Sequence, residues 1–132
     1  MEMMMKSVLA TVPFSVVLPA KDIARARDYW GRVVGVEIMD APQPGYFMGK
    51  AGMGTQFLMY ETPLEPTKAT CAAFLVPDLD AAMMEMRARG MVFEEYDMPG
   101  VKTVNGVMEM GDMGRGAWFV DTEGNTINVV QM

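Results

Sequence analysis

The sequence predicts an α+β domain built from two tandem β-α-β-β-β modules, and three observations predict it. The first is internal repetition. Residues 16–24 read VVLPAKDIA and residues 72–80 read AAFLVPDLD. In each, a short apolar run meets an Asp, then an apolar residue, then a helical pattern closed by glycine. The interval from Asp22 to Asp78 and that from Gly35 to Gly90 differ by one residue, so a single gap aligns the two copies. Two copies are too few for a solenoid, and they fit one domain with a pseudo-twofold axis. The second observation is the alternation of short apolar runs with turn residues after each helix. The third is length: at 132 residues the chain is one domain that buries about two-thirds of its unfolded surface.

Module one spans about residues 12–61. Residues 14–20 are apolar on both alternating sets and read as a strand buried on both faces. Asp22 suits the N-cap of the following helix. Ile23, Ala26, Trp30 and Val33 recur at helical spacing and form its buried stripe, with Arg25, Arg27, Asp28 and Arg32 on the wet side. Gly35 supplies a left-handed end. Strands are expected at 36–39, 46–49 and 55–60. Residues 62–68 carry two prolines and read as the linker.

Module two spans about residues 69–132. A strand is expected at 70–76, and Asp78 caps a helix whose stripe is Leu79, Ala82, Met83 and Met86, closed at Gly90. Residues 91–93 read as a short strand and 94–106 as a long irregular segment. A hairpin joins 107–110 to 116–120. A tight turn at 121–125 places Gly124 at positive φ, and 126–130 is the last strand.

Composition excludes several classes. A formal charge of −6 gives neither a nucleic-acid groove nor an anionic membrane surface its cations. No apolar run approaches the roughly 18 residues of a membrane span. Residues 7–17 are largely apolar, but Pro13 and the nearby Glu2 read against a cleaved signal. The lone cysteine, Cys71, excludes an intrachain disulfide and fits a reducing, cytoplasmic setting. There is no His, which removes the commonest acid/base group and metal ligand. Of 17 Met, those at positions 1, 3, 4 and 5 read as a frayed start, and many others fall on strands, as core filling or as an adaptable apolar pocket.

The strand-Asp-helix opening VVLPAKDIARARDYW, its echo AAFLVPDLDAAMMEMRARG and the closing AWFVDTEGNTINVVQ resemble the vicinal oxygen chelate superfamily, the glyoxalase I, bleomycin-resistance protein and extradiol dioxygenase group. The segment FEEYDMPGVKTVNGV resembles one found in small bacterial members. The resemblance implies an incomplete mixed β-barrel around a cavity, and a homodimer. In metal-dependent members it implies His or Glu ligands on the first and last strands of each module. Carried over by position, these fall on Ser15, on Cys71, on Asn128, and on one of Gln56, Phe57, Leu58 and Met59. Such groups lack the carboxylate or imidazole that a hard divalent ion wants. No metal or other cofactor is therefore expected.

The expected function is metal-independent binding of a small apolar or amphipathic molecule. The alternatives are a metal-independent lyase, isomerase or other enzyme using loop Tyr, Lys or carboxylate groups, and a protein-interaction module. The candidate binding residues are Ser15, Cys71, Asn128, Tyr96, Lys102, Trp118, Phe57, Met59 and Tyr46, with no catalytic residue assigned. Strand alternation sends Trp118 and Phe119 to opposite faces, so only one can line the cavity. Cys71 lies on an apolar strand without a His base and reads as buried and inert. Glu94, Glu95 and Asp97 read as a solvated loop cluster. The glycines at 111–116 lack the Lys and helix of a phosphate loop, and Asp121, Glu123 and Asn125 read as turn chemistry.

Overall fold

The computed structural model describes residues 6–132; Met1, Met3, Met4 and Met5 lie outside the described residues. Module one comprises β1 (Val16–Ala20), α1 (Ile23–Asp28), β2 (Glu37–Asp40), β3 (Tyr46–Lys50) and β4 (Gln56–Glu61). Module two comprises β5 (Thr70–Leu75), α2 (Leu79–Ala88), β6 (Asp97–Met98), β7 (Val101–Lys102), β8 (Met108–Glu109), β9 (Arg115–Val120) and β10 (Thr126–Gln131). The strands form two four-stranded sheets, ordered β1-β4-β3-β2 and β5-β10-β9-β8, with β6 and β7 as a separate small hairpin. In each large sheet the first strand of the module runs parallel to the last, and the remaining pairs are antiparallel. The tandem plan is therefore present, and the two sheets do not join into a closed barrel.

The repetition extends to hydrogen bonds. The Asp22 carboxylate accepts from the Arg25 amide at 3.0 Å, and the Asp78 carboxylate accepts from the Ala81 amide at 3.1 Å. The Ile23 amide donates to the Glu61 side chain at 3.1 Å, and the Leu79 amide donates to the Gln131 side chain at 2.7 Å. Each helix start is thus held by its N-cap and by the last residue of its module's parallel strand pair. These bonds satisfy amides that an α-helix leaves without internal partners. Beyond Asp28, α1 widens into a turn over Tyr29–Val34 that ends at Gly35, and it buries Trp30, Val33 and Val34.

One core joins the modules. Trp30 of α1 packs against Phe57 at 4.8 Å between ring centroids, and against Phe74 and Phe119 of module two, both at 6.3 Å. Leu18, Met59, Leu79, Met83 and Ile127 are buried in the same cluster. Gly49 is set by this packing, because a Cβ there would meet the Phe57 ring at 2.2 Å.

The β9–β10 turn adds a polar clamp. Asp121 accepts from the Trp30 indole at 2.9 Å, and from the backbone amides of Glu123 at 2.9 Å and Asn125 at 2.8 Å. Asn125 also donates to the Pro19 carbonyl at 3.0 Å. Glu123, whose side chain is 0% exposed, accepts from the Lys21 and Asp22 amides and pairs with Arg25 at 2.8 Å. Gly124 sits at φ 91°, as the turn requires.

Three expectations change. β1 is not buried on both faces: Leu18 and Ala20 face the core while Val17 is 55% exposed, and Phe14 lies outside the strand at 99% exposure. Both faces of this edge strand are apolar in sequence, but only one meets the helix. Residues 91–93 contribute a single antiparallel bridge, Phe93 to Phe119, because β8 already pairs with the start of β9. The long segment is ordered by the β6–β7 hairpin and by Thr103, whose hydroxyl accepts from the Tyr96 amide at 2.8 Å and donates to Glu95 at 2.5 Å.

Burial pushes the Glu123 carboxyl up, but hydrogen bonds from Arg25, the Asp22 amide and Thr122, with the Arg25 charge, outweigh it and hold the group at about 2. A carboxyl depressed in the folded state stabilises fully above its unfolded pKa and loses that contribution as pH falls towards its folded one. The contribution is on the order of 3 kcal/mol, lost between about pH 5 and pH 2. Glu123→Gln should therefore lower stability at pH 7 and flatten the acid limb of a urea-unfolding profile. An acid limb as steep as that of the parent would contradict this assignment.

Candidate functional site

Strand parity determines which residues are free for a ligand. In the first sheet, Val16 pairs with Phe57 and Leu18 with Met59, and all four turn toward the helices and core. Val17 pairs with Leu58 and Pro19 with Tyr60, and these continue across β3 to Met48 and Tyr46. The free face of this sheet therefore carries Val17, Pro19, Leu58, Tyr60, Met48 and Tyr46. Ser15, just before β1, has the same parity and donates to the Gln56 carbonyl at 3.4 Å.

In the second sheet, Phe74, Ala117, Phe119, Ile127 and Val129 take the core face. Ala73, Asn128 and Trp118 lie in one row across β5, β10 and β9 on the opposite face, and Leu75, Val130 and Gly116 form the next row. The Trp118 indole donates to the Thr70 hydroxyl at 3.0 Å. Tyr96 stands edge-on to Trp118, with ring centroids 5.7 Å apart and planes at 82°. Asn128 is half-buried, and its Oδ1 is buried without a hydrogen-bond partner. Asn128, Trp118, Tyr96 and Thr70 are thus gathered at one place.

Other expected site residues go elsewhere. Phe57 and Met59 are core residues, at 8% and 0% exposure, and do not line the free face. Large apolar side chains opposite the helix are what the core needs, so Gln56, Leu58 and Tyr60 are left to the other side. Cys71 falls at a register shift between β5 and β10, where it packs toward the core and donates to the Thr126 carbonyl at 3.3 Å. Thr70 takes the place on the free face. Burial, and then Asp121, push the Cys71 thiol above its ordinary value, so it is not primed as a nucleophile. Lys102 does not join Tyr96. It lies 3.5 Å from Asp97 and borders a separate groove of about 750 Å³ with Met83, Met84 and Arg87. Burial, and then Glu94, raise the Tyr96 hydroxyl pKa, which keeps it a donor at neutral pH.

The boundary between the modules, where the resemblance implied a ligand cavity, is instead packed along Trp30, Phe57, Phe74 and Phe119, and an apolar crevice of about 160 Å³ lies between Val34, Val36, Phe74 and Met86. The Ser15 and Asn128 positions lie on the free faces, outside that crevice. Neither groove is lined by Ser15 or Asn128. Of the Gln56 to Met59 candidates, parity places Gln56 and Leu58 on the free face, and Thr70 and Tyr60 join it without having been candidates from the sequence. Correct strand parity, anchored on which residues meet the helix, is the signal that finds them.

The fold and the free faces define a two-module α+β scaffold of the glyoxalase type. Residues 13–129 match the Glyoxalase/Bleomycin resistance protein/Dioxygenase superfamily, and the chain belongs to that superfamily. No curated protein matches. Among solved structures, it is similar to TnmS3, an antibiotic binding protein from Streptomyces sp. CB03234, at 21% identity and TM-score 0.63, covering 89% of this chain and 92% of that one. It is similar to a superfamily member from Sphaerobacter thermophilus at 20% identity and TM-score 0.68, covering 92% and 99%. It is also similar to a lactoylglutathione lyase from Agrobacterium tumefaciens at 13% identity and TM-score 0.67, covering 92% and 93%. At these identities the likeness establishes the fold.

The metal that some relatives of this fold use does not suit the residues here. Ser15, Gln56, Thr70 and Asn128 offer neutral oxygen and nitrogen atoms, and the Asn128 Oδ1 is buried without a hydrogen-bond partner. Among the described residues, no three His, Cys, Asp or Glu side chains group to hold an ion. The arrangement can hydrogen-bond a neutral polar group beside an aromatic corner.

Core and free-face aromatics should respond differently to truncation. Phe57→Ala should cost about 3–5 kcal/mol of stability. Tyr46→Ala, on the free face, should cost under about 1 kcal/mol. Chemical denaturation of both variants checks this, and equal losses would reverse the face assignment.

Proposed function

We propose that this protein is a metal-independent binding protein for a small, largely apolar or amphipathic molecule, in the manner of antibiotic sequestration. The observation that carries the reading is the free face of the second sheet. There a neutral amide, Asn128, stands beside Trp118 and Tyr96 at a position where metal-dependent relatives place a ligand. Apolar walls with a few placed polar groups are the usual composition of a specific small-molecule site. The antibiotic-binding neighbour from Streptomyces supports the same class of activity. The enzyme alternative finds less support, because Glu95 is committed to Thr103 and the Gly106 amide, and Lys102 lies next to Asp97.

The protein acts as a homodimer in this reading. Phe14, Val17 and Leu75 are 99%, 55% and 72% exposed. Exposed apolar side chains on both sheets offer a second copy surface to cover, and closed twofold pairs are the commonest assemblies. A second copy would cover the free faces and complete the walls of the site, so the interaction-module alternative is absorbed into the binding reading.

Protein purified without chelator should carry no stoichiometric divalent metal by elemental analysis. One nickel, zinc, manganese or iron per chain would sink the metal-independent reading. A thermal-shift screen of planar and glycopeptide-type antibiotics should give hits. A ligand at 100 times its Kd adds about 2.7 kcal/mol, and a flat screen would remove the support for sequestration. Sedimentation equilibrium at micromolar concentration should return twice the chain mass; a single chain's mass would overturn the dimer.

A further inference from the structure

Asn128 holds a side-chain oxygen that is buried and accepts no hydrogen bond, the one such side-chain atom among the described residues. Buried polar atoms are nearly always paired, and an unpaired one is an acceptor that the first suitable donor will satisfy. Its surroundings narrow what that donor can be. Asn128 pairs across the sheet with Trp118, whose ring is pinned by the Thr70 hydroxyl at 3.0 Å. The Tyr96 ring meets Trp118 at 82°, so the two aromatics form a corner beside the amide. Gly116 stands next to this row on β9. A Cβ on Gly116 would lie 3.1 Å from Asn128 Oδ1 and 3.1 Å from the Met110 Cε methyl. The missing side chain at 116 is what lets the amide oxygen and the Met110 methyl lie close against β9, so room for a ligand group there opens only when the flexible methionine moves aside.

We propose that Asn128 reads a paired donor–acceptor edge on a neutral planar molecule, a lactam, imide or ring-bound carboxamide, with Met110 as the group displaced on entry and Gly116 as the residue that keeps the space. This rests on the binding reading above and specifies its ligand class. A primary carboxamide offers one acceptor and one donor side by side. Its complement is a cis N–H and C=O pair, which donates to Oδ1 and accepts from Nδ2. The Asn128 side chain is uncharged, so its match is neutral, and a flat ring can lie on one aromatic of the corner and meet the edge of the other. Met suits the gate because its thioether chain is unbranched and repositions easily. Gly116 here is a positioning residue, and Asn128 is the one that touches the ligand.

The test uses the full chain and two matched probes, 2-quinolone and N-methyl-2-quinolone, which differ by one N–H donor. Titrations are followed by the Asn128 side-chain amide resonance, identified by its loss in Asn128→Leu, and by ligand-observed NMR for the variants. The parent should bind 2-quinolone at least tenfold more tightly than the N-methyl compound. Asn128→Leu should bring the two affinities together, and Gly116→Ala should weaken 2-quinolone at least tenfold with the thermal midpoint of the free protein recorded alongside. Should Gly116→Ala fail to fold, Met110→Ala provides the second arm and should tighten 2-quinolone by opening the space. Equal affinities for the two probes in the parent would overturn the proposal while leaving small-molecule binding in place. No binding of either probe at millimolar concentration would also overturn it, and the thermal-shift screen then decides the binding reading separately.

Discussion

The structure depends on one buried carboxylate. Asp121 accepts the Trp30 indole, two backbone amides of its own turn and the Asn125 side chain, at 2.8–2.9 Å. It is 5% exposed, and a buried charge is tolerated only when its lone pairs are filled by donors. Those donors come from both modules. The turn that belongs to the last hairpin of module two thus locks the helix of module one, and Glu123 repeats the act on the start of that helix through the Lys21 and Asp22 amides. Removing a donor would leave an unpaired buried carboxylate, which costs more than the hydrogen bond itself contributes. The relative placement of the modules is therefore held by polar satisfaction, with the Trp30 aromatic cluster filling the volume beneath it.

That constraint decides where function can reside. The helix-bearing face of each sheet is committed to the joint core, so the opposite faces are the sheet surfaces left uncovered by helices. On the first sheet that face carries Val17, Leu58, Tyr60 and Met48, with the polar Ser15 and Gln56 at one end. On the second it carries Asn128, whose Oδ1 is buried without a hydrogen-bond partner. The two halves are equivalent in their helix caps but have diverged on their free faces. The clamp and the free faces share no side chains, so a substitution on a free face leaves the clamp's hydrogen bonds in place.

The repeat, both helix starts, the strand order of elements and the function of Gly35, Gly90 and Gly124 as left-handed turns were legible in the sequence. Those features are local, fixed by caps, periodicity and glycine placement. The role of Asp121 to Asn125 was legible only as a turn, because the partners Trp30, Pro19 and Arg25 lie about a hundred residues away in sequence and enter only through the fold. The candidate site was legible in part. Asn128, Trp118 and Tyr96 converge, but Phe57 and Met59 fall on the core side, and Cys71 yields its place to Thr70. Periodicity of two gives two faces without saying which one meets the helix, and in a strand apolar on both faces nothing in the run itself breaks the tie. A one-residue register shift at Thr126 then displaces Cys71 from its expected row.

The chemistry open to this face follows from what stands on it. Catalysis by a metal centre places charge against charge, and its ligands must be anionic or imidazole groups held by further hydrogen bonds. Here the comparable positions carry a hydroxyl that leans on a backbone carbonyl and an amide with a free oxygen. Such groups discriminate by pairing and shape, since leaving a neutral donor or acceptor unmatched in a buried contact is costly while matching it adds little more than solvent did. Recognition of that kind rewards a ligand that fits and penalises one that does not, without activating either. The half-buried Cys71 thiol packs toward the core with its pKa held above the ordinary value, and the Tyr96 hydroxyl is likewise pushed up by burial and Glu94, so neither is primed as a nucleophile or base at neutral pH.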